Sequence, residues 1–148
     1  MADTPSKSAH ILIIDDNESD TMLMEEAIKS TAIANSVHIV HDASSAINFL
    51  NQKTPYTDAP RPDLILLDLQ MPNFDGHEFL RVAKSDPQLL QIPIIVLTTS
   101  DDPKDISESY LLHANCCIQK PVNFMKFKKV ISIINDFWLG IAVLPPKD

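Results

Sequence analysis

Three short runs in this chain are apolar throughout: Ile11 to Ile14, Leu64 to Leu67 and Ile94 to Leu97, each followed at once by polar or acidic residues. Such runs, rich in Ile and Leu and lacking alternation, suit strands covered on both faces, which points to a parallel sheet between layers of helices. Val37 to Val40 and Cys116 to Ile118 are weaker strand candidates.

The intervals carry helical spacing: Met24, Ala27 and Ile28; Ala43, Ala46, Ile47 and Leu50; Phe79, Val82 and Ala83; Ile106 and Tyr110; Phe127, Val130, Ile131 and Ile134. Strand and helix therefore alternate five times. Asp75 before one helix, Asp101, Asp102 and Pro103 before another, and Pro60 and Pro62 ahead of the third strand agree with this division. Right-handed crossovers then predict a doubly wound α/β domain, with a five-stranded parallel sheet in the flavodoxin-like order 2-1-3-4-5 and helices on both faces.

A chain of 148 residues, 45% hydrophobic and 22% charged, has the size of one globular domain with no room for a second. The expected division is a flexible stretch at residues 1–8, a domain over 9–138 and a C-terminal extension over 139–148. A net charge of −8 gives no basic surface for nucleic acid. No signal peptide is evident, and no apolar run approaches the roughly 18 to 20 residues that span a bilayer, so a cytoplasmic location is expected.

In the predicted strand order, the residues just past the carboxyl ends of strands 1, 3 and 4 converge on one crevice: Asp15, Asp16, Asp68 and Thr98. Clustered carboxylates repel one another in a partly desolvated crevice unless a cation neutralises them. A hard ion such as Mg²⁺, which takes a few carboxylates and keeps several waters, answers that need. Asp15, Asp16 and Asp68 are its candidate ligands, with the backbone carbonyl of Gln70 a further one. Beside the metal and the Lys120 ammonium, the Asp68 carboxylate is placed as a nucleophile toward an activated phosphoryl group. Lys120 and the Thr98 hydroxyl then pair with the new phosphoryl oxygens.

The stretches Ile-Leu-Ile-Ile-Asp15-Asp16, Leu-Leu-Asp68-Leu-Gln-Met-Pro72-Asn-Phe-Asp75-Gly76, Val-Leu-Thr98-Thr and Lys120-Pro121 resemble the motifs of response-regulator receiver domains. None is specific alone; four in order on the right elements carry the resemblance. It implies that Asp15 and Asp16 hold Mg²⁺, that Asp68 is phosphorylated, that Thr98 and Lys120 read the phosphoryl group, and that a cis bond precedes Pro121. Gly76, one of two glycines, suggests a backbone requirement in the loop leading to the third helix.

One position departs from the family. Three residues before Lys120, where receivers commonly carry a switch Tyr or Phe, this chain has Cys117. Tyr110 on the fourth helix is a candidate substitute, although an aromatic there more often serves packing. Gln70 and Ser100, by resemblance, overlook the phosphoryl group and tune its hydrolysis.

Stretches around Pro-Arg-Pro-Asp63, Tyr110-Leu-Leu-His-Ala-Asn-Cys116 and Phe137-Trp138-Leu, with a Leu144-Pro-Pro ending, are similar to small regulators that partner phytochrome histidine kinases. That likeness implies a sensor histidine kinase as partner and a homodimer through helix 5 and the tail. Helix 5 is apolar on more than one side, which assigns Phe127, Ile134, Phe137 and Trp138 to the dimer contact. The alternative is a tail folded back on its own domain. With no effector domain expected, output runs through protein contacts, with no membrane or direct nucleic-acid role.

Other readings fit less well. A phosphatase of the haloacid-dehalogenase type carries a second Asp where Gln70 stands. A flavin protein of this fold needs a hydroxyl- and glycine-rich loop after strand 1, where Asp15 and Asp16 would repel the cofactor phosphate. A phosphate-independent interaction module is supported by Cys117 alone. Cys116 and Cys117 are adjacent and badly placed for a relaxed disulfide, so two buried reduced thiols are expected. His38 and His41, three apart on a strand, face opposite sides and make no metal pair.

Overall fold

The computed structural model describes residues 9–31, 35–71 and 76–146. Its elements are β1 (Ala9–Ile14), α1 (Glu18–Lys29), β2 (Asn35–Val40), α2 (Ala43–Leu50), β3 (Leu64–Asp68), α3 (Gly76–Ser85), β4 (Ile94–Thr98), α4 (Pro103–Leu111), β5 (Cys116–Gln119) and α5 (Phe124–Asn135). All strand pairs are parallel, in the order β2-β1-β3-β4-β5. The predicted doubly wound architecture is therefore the observed one. Pro72 and Asp75, and the stretch at residues 1–8, lie outside the described residues.

Alternate side chains of the central strands feed two cores. Leu12, Ile14, Ile65, Leu67 and Val96 pack with Phe79 and Leu80 of α3 and Phe49 of α2. Ile11, Ile13, Leu66, Ile95 and Leu97 pack on the other face with Met24 of α1 and Phe127 and Ile131 of α5. Burial on both faces explains why β1, β3 and β4 read as unbroken apolar runs. Side-chain caps start four helices: Asn17, Asp42, Asp102 and Asn123 each accept a backbone N–H two or three residues on.

Two features depart from the sequence reading. The helical path does not stop at Asn135; it widens into a π-type segment, Asp136–Ile141, so the 138/139 division falls within it. The peptide bond before Pro121 is trans, the one cis bond among the described residues being Thr54–Pro55. Lys120 is aimed instead by its backbone N–H, which donates to Thr98 O at 2.7 Å, and by the carboxylates described below.

At the far end of the sheet, buried Lys84 donates to Leu90 O, Ile92 O and Asn115 Oδ1, each at 3.0 Å. Asn115 Oδ1 also accepts the Ile94 N–H. No helix among the described residues is long and apolar enough to cross a membrane.

Candidate functional site

The carboxyl ends of β1, β3, β4 and β5 deliver the predicted residues to one place. Asp15 and Thr98 are fully buried, and Asp68 and Lys120 nearly so, while Asp16 and Gln70 are exposed at the rim. Carboxylate oxygens of Asp15, Asp16 and Asp68 lie within 4.8 Å of one another. Among the described residues no other group of three His, Cys, Asp or Glu side chains does so.

Lys120 Nζ sits 2.9 Å from Asp15 Oδ2, 2.9 Å from Asp20 Oδ2 and 3.6 Å from Asp68 Oδ1. Asp20 escaped the sequence reading. It lies in the first turn of α1, a hundred residues from its partner, with no local signal beyond its place near the acidic pair. Burial opposes the charge on Lys120, but Asp15 and Asp68 outweigh it and hold the ammonium above the usual lysine range. The Phe127 ring centroid is 5.9 Å from Nζ.

For Asp68 the balance runs the other way. Burial pushes its carboxyl up to about 6, with Asp15 adding to the push while Lys120 and the Gln70 N–H pull it down. Two buried acids and a third at the rim, facing one ammonium, form an oxygen donor set that suits a hard divalent cation.

Above this floor, Thr98 Oγ1 accepts the Ser100 N–H at 3.0 Å, and Ser100 Oγ donates to Asp105 Oδ2 at 2.8 Å. Gln70 Oε1 accepts both the N–H and the hydroxyl of Thr99, at 2.8 and 2.7 Å, which ties the β3 loop to the β4 loop. Gly76 is required by close approach rather than by a left-handed φ: a Cβ there would lie 2.7 Å from Leu69 Cα and 3.0 Å from Asp68 O.

The position expected to hold an aromatic has a specific solution. β5 is an edge strand, and the Cys117 N–H on its free edge donates to Tyr110 Oη at 3.0 Å. The two thiols are free and half-buried rather than buried, and burial pushes both above the usual thiol range. His38 turns toward His10 and Phe49, while His41 Nδ1 lies 3.1 Å from Asp15 O.

The residues assigned to a dimer contact separate. Phe127 is 4% exposed and Ile134 5%, because both belong to the core shared with β1, β3 and β4, so neither presents an outer surface. Trp138 is half-buried against that core, and Phe137 is 47% exposed.

The family model for the response regulator receiver domain matches residues 11–132. This chain is a response regulator receiver. Response regulator Rcp1 of Synechocystis sp. is 39% identical to the receiver over 145 residues, covering 98% of this chain and 99% of the relative. The crystal structure of the Mn²⁺-bound form of Rcp1 matches with a TM-score of 0.89 at 40% identity, over 93% of this chain and 99% of that one. The phosphorylated cyanobacterial phytochrome response regulator RcpA gives a TM-score of 0.91 at 41% identity, over 95% and 100%. The receiver is thus a signalling protein related to phytochrome response regulators.

Proposed function

We propose that this receiver accepts a phosphoryl group on Asp68 from a sensor histidine kinase of the phytochrome type and signals through protein contacts. The observation that carries the reading is the meeting of Asp15, Asp16, Asp68, Thr98 and Lys120 at the carboxyl ends of four strands. One Asp68 oxygen attacks phosphorus, the bond from phosphorus to the donor's imidazole nitrogen breaks, and an acyl phosphate forms on the carboxylate.

Asp15, Asp16, Asp68 and the Gln70 backbone carbonyl would hold Mg²⁺. When bound, it supplies charge neutralisation for the crowded carboxylates and the incoming phosphoryl oxygens. Lys120 neutralises another of those oxygens, and the Thr98 hydroxyl, now accepting from Ser100, donates to a third. Transfer from an ATP-charged kinase locates the protein in the cytoplasm. The similarity to RcpA, a phytochrome response regulator by name, supports the kinase class.

A homodimer through the end of α5 and the tail is part of the proposal. Ile133, Phe137, Ile141 and Val143 are exposed and apolar along that stretch. A tail folded back has its own support, since Pro145 and Pro146 share a crevice with Pro62 and Pro93.

Incubation with acetyl phosphate and Mg²⁺, followed by intact mass measurement, tests the chemistry. A phosphoryl adduct is expected on the wild type and none on Asp68→Asn; an unmodified wild type would instead support the phosphate-independent module. Sedimentation with and without beryllofluoride tests the dimer, and a monomer in both states overturns it.

A further inference from the structure

We infer that Asp20 is a positioning residue for Lys120: its carboxylate holds the ammonium back from Asp68 and competes with the phosphoryl group for it. The inference rests on the phosphoacceptor reading for its consequence, but not for its geometry.

The first turn of α1 explains why Asp20 is free for this work. Asn17 caps the helix, and its side chain accepts the Asp20 N–H at 3.0 Å. An acid three residues past a cap commonly turns back to the cap residue's own N–H. Here the Asn17 N–H is already donated to Asp15 Oδ1 at 2.9 Å. The Asp20 carboxylate is therefore released from capping and reaches across to Lys120.

An ammonium has three N–H donors. Two of the three facing carboxylates, Asp15 and Asp20, stand at 2.9 Å, within hydrogen-bond range, whereas Asp68 at 3.6 Å is beyond it. Asp20 is not among the three clustered carboxylates that form the candidate metal centre. Asp15 serves both the cluster and the lysine; Asp20 serves the lysine alone. The Lys120 side chain is 5% exposed and that of Asp20 29%, so water screens this pair less than one on the open surface.

A phosphoryl group on Asp68 must then draw Lys120 away from Asp20. Each increment of that attraction disfavours the phosphorylated state, which makes Asp20 a brake on the switch. Removing its charge should free Lys120 to move toward Asp68.

Two measurements test this. In a crystal structure of metal-free Asp20→Asn, Lys120 Nζ is expected within hydrogen-bond distance of Asp68; a separation still near 3.6 Å overturns the inference whatever the protein's chemistry. The second is beryllofluoride affinity in saturating Mg²⁺, followed by fluorine NMR. Asp20→Asn should bind about three- to tenfold tighter, and Asp20→Glu close to wild type. In a Lys120→Met or Lys120→Gln background the Asp20→Asn gain should vanish. A gain that persists there reflects only one fewer negative charge, and a loss of affinity means that Asp20 aims Lys120 at the phosphoryl group; either result overturns the inference. A wild type that binds no beryllofluoride sinks the phosphoacceptor reading, while the lysine's position in Asp20→Asn still decides the positioning role.

Discussion

Tyr110 Oη accepts the Cys117 N–H at 3.0 Å, so a side chain from α4 covers a donor on the open edge of β5. Edge donors are exposed to exchange and to stray pairing. Tyr110→Phe should make the Cys117 amide exchange faster with deuterium and lower stability by about 0.5–1 kcal/mol in urea unfolding, the low end because the bond is solvent-accessible. Cys117→Ala, which keeps the amide, should leave its exchange nearly unchanged.

Gly76 sits where a methyl group would meet the backbone of Leu69 and Asp68. Neither neighbour yields easily, since both belong to the end of a central strand. Gly76→Ala should cost about 1–3 kcal/mol, read as a lower urea midpoint. It should also weaken Mg²⁺ binding, because α3 would press on Asp68.

The raised carboxyl of Asp68 gives a signed pH dependence. Its folded value of about 6 lies above the ordinary 3.8, so between these values the native chain binds more protons than the unfolded one. Its contribution is full below 3.8 and is lost as pH rises through about 6. Asp68→Asn should therefore stabilise the metal-free protein at pH 7 by about 1–3 kcal/mol, with the advantage shrinking toward pH 4. Urea midpoints across that range measure it.

His38 acts in the opposite sense. Burial and the facing His10 lower its proton affinity below the usual 6.5, and a 3.2 Å contact between the two rings needs one neutral acceptor. The unfolded chain then binds more protons, and stability falls as pH drops below 6.5. In an Asp68→Asn background, which removes the competing trend, His38→Phe should flatten the acid limb of the stability profile.

What the sequence disclosed follows physical lines. β1, β3 and β4 were legible because strands sealed on both faces must be apolar at every position; β2 and β5, at the edges and half-buried, mix His, Ser, Gln and Cys and read weakly. Asp15, Asp68, Thr98 and Lys120 were legible because each immediately follows or ends a strand whose position the topology dictates. Asp20 was not, since a carboxylate on a first helical turn has many ordinary uses. Phe127 looked like interface surface because an apolar stripe does not say which side of a helix the sheet occupies; its ring in fact backs Lys120. The need for Gly76 was visible, but its cause, a close approach rather than a φ angle, was not.

Lys84, near the end of α3, has three acceptors that leave no N–H unused. Lys84→Met would strand the Leu90 and Ile92 carbonyls, while Asn115 Oδ1 keeps the Ile94 N–H, at a cost of about 2–3 kcal/mol in urea unfolding. Acetyl phosphate should still modify Asp68 in this variant, since the two lie at opposite ends of the sheet.

That anchor bears on how a signal travels. One ammonium binds the end of α3 to the segment entering β4 and, through Asn115, to the residue just before β5. At the amino ends of these strands the three elements form a fulcrum. A rearrangement begun at Thr98 therefore has its free arm at the opposite end, where the Ser100–Asp105 bond grips the first turns of α4. Displacement of that arm should read out as a tilt of α4 rather than a slide, with Tyr110, bonded to the Cys117 N–H near the amino end of β5, moving least.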